Sequence, residues 1–211
     1  LRALNRPYEA NAAYRDATAM MPRDVAINTA YGDLFLERFQ YGDAAKSYQD
    51  VLRLDAKYPP ALLGMAKAIA NEDPPQAVKL AEQVLEINPS SVPAQLFLAG
   101  EAVDAGRRDE ARKLLETALA VNPSSLDARS LLAALAYVED KPAEFEAEVA
   151  RVLAIAPGYG EVYRVAAETA SHNFRYDDAM VLAQKAVTLD AGNGRILSDL
   201  GTHLLRTGDE A

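Results

Sequence analysis

A period of about 34 residues runs through the chain and constrains its fold more than any other feature. Pro22, Pro89, Pro123 and Pro157 stand on one ladder, with Ala56 and Ala191 on its other rungs; the successive steps are 34, 33, 34, 34 and 34 residues. An apolar residue lies just before each rung: Met20, Leu54, Ile87, Val121, Ile155 and Leu189. Further upstream runs an alanine ladder of Ala10, Ala44, Ala77, Ala111 and Ala179, interrupted by Phe145. Ala17, Val51, Val84, Ala118, Val152 and Ala186 form a column between them, and Gly32, Ala66, Ala99, Ala133, Ala167 and Gly201 form another. Columns that hold one register over the whole chain mark a repeat architecture, in which each unit buries its apolar face against the next.

Each unit holds two helical patterns. Val92–Ala105 and Arg108–Val121 carry apolar residues at three- and four-residue spacing, the stripe that one buried helix face requires. Gly106 lies between them as a helix-ending glycine, and Asn122-Pro123-Ser124-Ser125 supplies the turn that follows. Pro7, Pro60, Pro74, Pro93 and Pro142 fall where helices begin, since a first turn does not use the missing N–H. No run of alternating β-branched residues marks a strand. Two antiparallel helices approach closely only where small side chains face each other, which predicts the pairs Gly32/Ala44, Ala66/Ala77 and Ala99/Ala111. Phe145 breaks that rule. The column that holds Phe35 and Ile69 elsewhere holds Ala136 in the same unit, so Phe145 is expected to fill the volume vacated there.

The pattern resembles the tetratricopeptide repeat family, whose unit is a 34-residue helix–turn–helix. The best match is Val92–Ser125, with Leu98-Ala99, Gly106, Ala111, Ala118 and Pro123 in pattern. The family's frequent tryptophan is replaced by Asn28, Leu62, Gln95, Arg129, Tyr163 and Leu197, and the third unit is one residue short in its Asn71–Gln76 turn. The resemblance implies one all-α, right-handed solenoid over residues 1–211: a partial repeat (1–24), full repeats at 25–58, 59–91, 92–125, 126–159 and 160–193, and the first helix of another at 194–211.

It also implies that a protein or peptide ligand lies in a concave groove lined by the first helices. The candidate residues are Asp33 and Leu36, then Leu63 and Lys67, then Leu96 and Val103. Ser130 and Tyr137 follow, then Arg164, Glu168 and His172, and finally Arg195. The middle of this lining is apolar and suits a hydrophobic anchor. Arg164, His172, Arg195 and Arg206 are expected to gather near the C-terminal end and favour an acidic group. Thr29, Leu63 and Leu96 stand where a basic residue would clamp a chain-terminal carboxylate, which argues against that mode of binding.

Composition excludes other classes. The chain has no cysteine, so it has no disulfide, thiolate metal site or cysteine nucleophile. Its net charge of −9 argues against nucleic acid as a partner. The longest apolar run, Leu131–Val138, is far short of a membrane span, so no insertion is expected. His172 and His203 lack metal-site spacing, and Gly158-Tyr159-Gly160 and Gly192-Asn193-Gly194 lack the residues of a phosphate loop; they read as inter-repeat turns in which glycine permits positive φ. No acid, base and nucleophile converge, so no enzyme activity, cofactor or metal is expected in this segment. The reading is a protein- or peptide-binding scaffold. The alternatives are the non-catalytic arm of a larger hydrolase or peptidase and a homo-oligomerisation module that pairs as a homodimer through exposed terminal helices. The opening Leu1-Arg2-Ala3 and the closing Gly208-Asp209-Glu210-Ala211 suggest a piece of a longer protein.

Overall fold

The computed structural model of the chain describes residues 7–207; the expectations drawn from Leu1-Arg2-Ala3 and from Gly208 onwards lie outside them. Among the described residues there are twelve helices and no strand. They are α1 (Pro7–Met20), α2 (Val25–Glu37), α3 (Tyr41–Leu54), α4 (Pro59–Ile69), α5 (Pro74–Ile87) and α6 (Val92–Asp104). Then follow α7 (Arg108–Val121), α8 (Leu126–Val138), α9 (Pro142–Ile155), α10 (Glu161–His172), α11 (Tyr176–Leu189) and α12 (Gly194–Thr207). The contacts divide the chain into two compact units, Leu1–Phe97 and Leu98–Ala211. In unit 1, α1 packs on α2, α2 on α3, α3 on α4 and α4 on α5, and α2 also packs on α4. In unit 2, α7 to α9 and α10 to α12 pack in order, while α10 packs on α8 and α12 on α10. Each unit is therefore an all-α stack of antiparallel helix pairs, as in a repeat solenoid.

Local chemistry sets the helix ends. The Asp24, Asp73 and Ser125 side chains accept hydrogen bonds from the N–H groups of Ile27, Gln76 and Ala128, capping α2, α5 and α8. Pro59, Pro74 and Pro142 occupy first turns. Asn88, Asn122 and Ala156 end their helices in extended backbone immediately before a ladder proline, where the proline ring disfavours helix. Asp55 also ends α3 in extended backbone, with Ala56 in place of the proline, so the stop does not depend on proline alone.

The turn inside each pair is a second recurring device. Gly106 has φ 71°, and the Arg107 N–H donates to the Ala102 carbonyl five residues back at 2.8 Å. Phe39, Asp140 and Phe174 hold the same position with φ of 57°, 55° and 62°, and Gln40, Lys141 and Arg175 make the equivalent bond at 2.9 Å. These are helix-ending left-handed turns, three of them without glycine. The short third unit lacks the left-handed residue: Asp73 N–H instead donates to Ile69 O at 2.8 Å, and Asp73 then caps α5.

The small-residue ladders are core. Ala44, Ala77, Ala111, Ala179, Ala66, Ala99, Ala133 and Ala167 are all fully buried. Phe145 is buried too, in one cluster with Ala133 and Ala136, and its ring meets Tyr137 and Tyr163 edge-on with centroids at 5.1 and 6.2 Å. Gly32 makes room for a large neighbour. A Cβ there would lie 2.7 Å from the buried Tyr48 ring, and one on Gly64 would lie 2.3 Å from it. The expectation that Gly158, Gly160, Gly192 and Gly194 provide positive φ is corrected, because Gly106 is the one described glycine in that region. Gly160 is small for another reason: a Cβ there would lie 2.6 Å from the Ala186 carbonyl oxygen.

Candidate functional site

In unit 1, one open cleft of about 400 Å³ brings together four of the residues expected to line a groove: Asp33 and Leu36 of α2 with Leu63 and Lys67 of α4. Pro59, Pro60 and Pro93 complete its apolar wall, although in the sequence Pro60 and Pro93 mark only helix starts. α2 and α4 pack side by side, so equivalent positions of successive repeats face the same cleft. The Asp33 carboxylate accepts the Tyr48 hydroxyl at 2.7 Å, which fixes its orientation. Lys67 is exposed and makes no ion pair among the described residues. Leu96 is half-buried and lies outside the cleft lining.

Unit 2 distributes its candidates differently. Val103 and Ser130 are core residues, 6% and 1% exposed, and the Ser130 hydroxyl has no hydrogen-bond partner among the described residues. Tyr137 is half-buried, and the Arg175 guanidinium lies over its ring at 4.9 Å. With Pro142, Phe145 and Lys185 these two line a separate cleft of about 390 Å³. Tyr137 is thus a packing and edge residue and does not share a wall with Arg164, Glu168 and His172.

Those three do come together. The Arg164 side chain is 7% exposed and makes ion pairs to Glu161 at 2.6 Å, Glu168 at 2.9 Å and Asp199 at 3.1 Å. Glu168 and His172 line a small cleft of about 90 Å³ with Asp199, Thr202, His203 and Arg206. Arg206 donates to the Ser171 hydroxyl at 2.6 Å, and the His172 ring pairs with Asp104 at 2.9 Å. Arg195 is exposed and stands outside this cluster. Carboxylates therefore surround the cations at this end, and Arg164 has no free face for an acidic ligand. The hydrogen bond to Asp104 raises the His172 pKa above its ordinary value, against burial. Burial lowers that of His203, and Arg206 adds to the effect. Among the described residues no group of side chains has the make-up of a metal site, and no helix is long and apolar enough to cross a membrane.

Sequence models described as tetratricopeptide repeat match residues 1–59, 68–116 and 102–168. No curated protein is a significant match. Solved structures are similar in fold. A tetratricopeptide repeat protein from Parabacteroides merdae is 19% identical, with a TM-score of 0.72 over 96% of this chain and 80% of that one. A chain of the APC/C hetero-tetramer Cut9–Hcn1 is 14% identical with a TM-score of 0.73, over 96% of this chain and 40% of the other. YrrB, described as a repeat protein with an unusual peptide-binding site, is 18% identical with a TM-score of 0.54, over 88% and 96% of the two chains.

Proposed function

The chain belongs to the tetratricopeptide repeat family, a family of protein-interaction scaffolds, and on that basis we propose that the α2–α4 cleft of unit 1 holds an extended peptide segment of a partner protein. The observation that carries this reading is the joining of Asp33, Leu36, Leu63 and Lys67 around one open, mainly apolar cleft. Leu36, Leu63 and the three prolines supply an apolar wall for a hydrophobic side chain. Lys67, exposed at the rim, adds a point charge for a carboxylate on the same segment, and Asp33 supplies a fixed acceptor. Prolines in the wall have no backbone N–H to leave unsatisfied when a ligand covers them.

The reading is tested with an immobilised library of short peptides and full-length protein. Binders should include an apolar residue close to an acidic one. Leu36→Asp should abolish their capture, and Lys67→Glu should weaken it about tenfold or more, a difference of about 1.4 kcal/mol. Binders that ignore both substitutions would place recognition on another surface.

A further inference from the structure

Asp104, Val138 and His172 are 34 residues apart and occupy one position in three successive repeats. The bond between Asp104 and His172 therefore skips a repeat. It joins the end of α6 to the end of α10, with the intervening residue, Val138, on α8 between them in sequence. Packed helix axes lie about 8–10 Å apart, so a straight row would separate the first and third by about 16–20 Å. An aspartate and a histidine that meet at 2.9 Å cannot span that gap, so this face of unit 2 is drawn inward. The positions that share this side of α8 are covered: Ser130, Ala134 and Val138 are 1%, 0% and 7% exposed, and Val103, next to Asp104, is 6% exposed. The two side chains that make the bond are 44% and 53% exposed, so solvent protons reach them.

We propose that the His172–Asp104 pair is a proton-operated latch that holds the α6–α8–α10 face of unit 2 closed over Ser130, Ala134 and Val138. With the imidazole protonated, the bond is an ion pair between two repeats; with it neutral, the charge attraction is lost and the face relaxes outward. The charged groups around the latch are Glu101 beside Asp104 on α6, Arg107 in the turn that follows it, Glu168 on α10, and Asp199, His203 and Arg206 on α12. The covered α8 residues Ser130, Ala134 and Val138 carry no charge. Asp104 and Glu168 favour the imidazolium and Arg206 opposes it, so the closed form holds at and somewhat above the ordinary histidine pH range.

The chain lacks cysteine, so a pair of dyes placed through Ala105→Cys and Phe174→Cys, both at exposed turn positions just beyond the latch, reports its opening in the full protein. Energy transfer should fall as pH rises from about 5.5 to about 9, with the profile of a single histidine titration. His172→Gln and Asp104→Asn should each abolish the transition, and His203→Gln should keep it. Circular dichroism of each variant checks that helix content is unchanged. Constant transfer across the range would overturn the latch. So would a transition that survives His172→Gln or disappears with His203→Gln in a folded protein. The readout is an intramolecular distance, so it stands or falls independently of peptide capture by unit 1.

Discussion

Tyr48 on α3 occupies space that two glycines on other helices leave open. Its ring is fully buried between Gly32 and Gly64, and its hydroxyl is held by Asp33. Because the ring is enclosed and tethered, it cannot yield to a new methyl group. Gly64→Ala should lower stability by about 1–2 kcal/mol, even though alanine is the better helix former. Gly100 is the control, because a methyl group added there would meet nothing within 4 Å. Gly100→Ala should raise stability by about 0.5–1 kcal/mol, and urea midpoints of the two variants should move in opposite directions. Phe145 is the reverse case, a large residue in a small-residue column, buried with Ala133 and Ala136 and flanked by two tyrosine rings. Phe145→Ala should cost about 3–5 kcal/mol; a gain in stability would show that the ring is overpacked. Arg164 binds three carboxylates with its own side chain buried. Arg164→Ala leaves those charges facing one another and should cost about 3 kcal/mol, measured in the same way.

At the scale of the element, the turn between paired helices combines backbone strain with exposed surface. Phe39 and Phe174 adopt left-handed φ and are 67% and 81% exposed. A bulky residue in that region costs about 1–2 kcal/mol relative to glycine, and little burial compensates for it here. Phe174→Gly should therefore raise the stability of unit 2 by about 0.5–1 kcal/mol, the remainder offset by the freedom glycine gains when unfolded. Thermal denaturation provides the check. The third unit solves the same corner without a left-handed residue, by deleting it and capping α5 with Asp73.

At the scale of the whole molecule, the two histidines act on stability in opposite directions. His172 has a raised pKa in the folded chain, so its contribution is complete below the ordinary value of 6.5 and is lost as pH rises through the raised value. His203 has a lowered pKa, so its contribution is complete above 6.5 and is lost as pH falls through the lowered value. Removing the first with His172→Gln should move the pH of maximum stability upward. Removing the second with His203→Leu should move it downward. Urea midpoints across the neutral range separate the two effects.

The class of fold follows from the order of residues alone. Helix stripes, small-residue columns and turn chemistry are local, and the 34-residue period states them again in each unit, so one weak unit, such as the short third, does not obscure the rest. Part of the unit 1 cleft was equally legible, because Asp33, Leu36, Leu63 and Lys67 face one way on two adjacent first helices. The remainder came from three-dimensional packing. The period cannot tell that Tyr48 is answered by Gly64, since the large ring and the missing side chain sit in different columns. It cannot tell that Arg164 is enclosed by carboxylates, or that Val103 and Ser130 are covered while Lys67 is open. Nor can it tell that Asp104 reaches His172 across a whole repeat. Each of these depends on how far one repeat is rotated and shifted on the next. That geometry is set by the summed packing of many side chains, and no single position in the repeat encodes it.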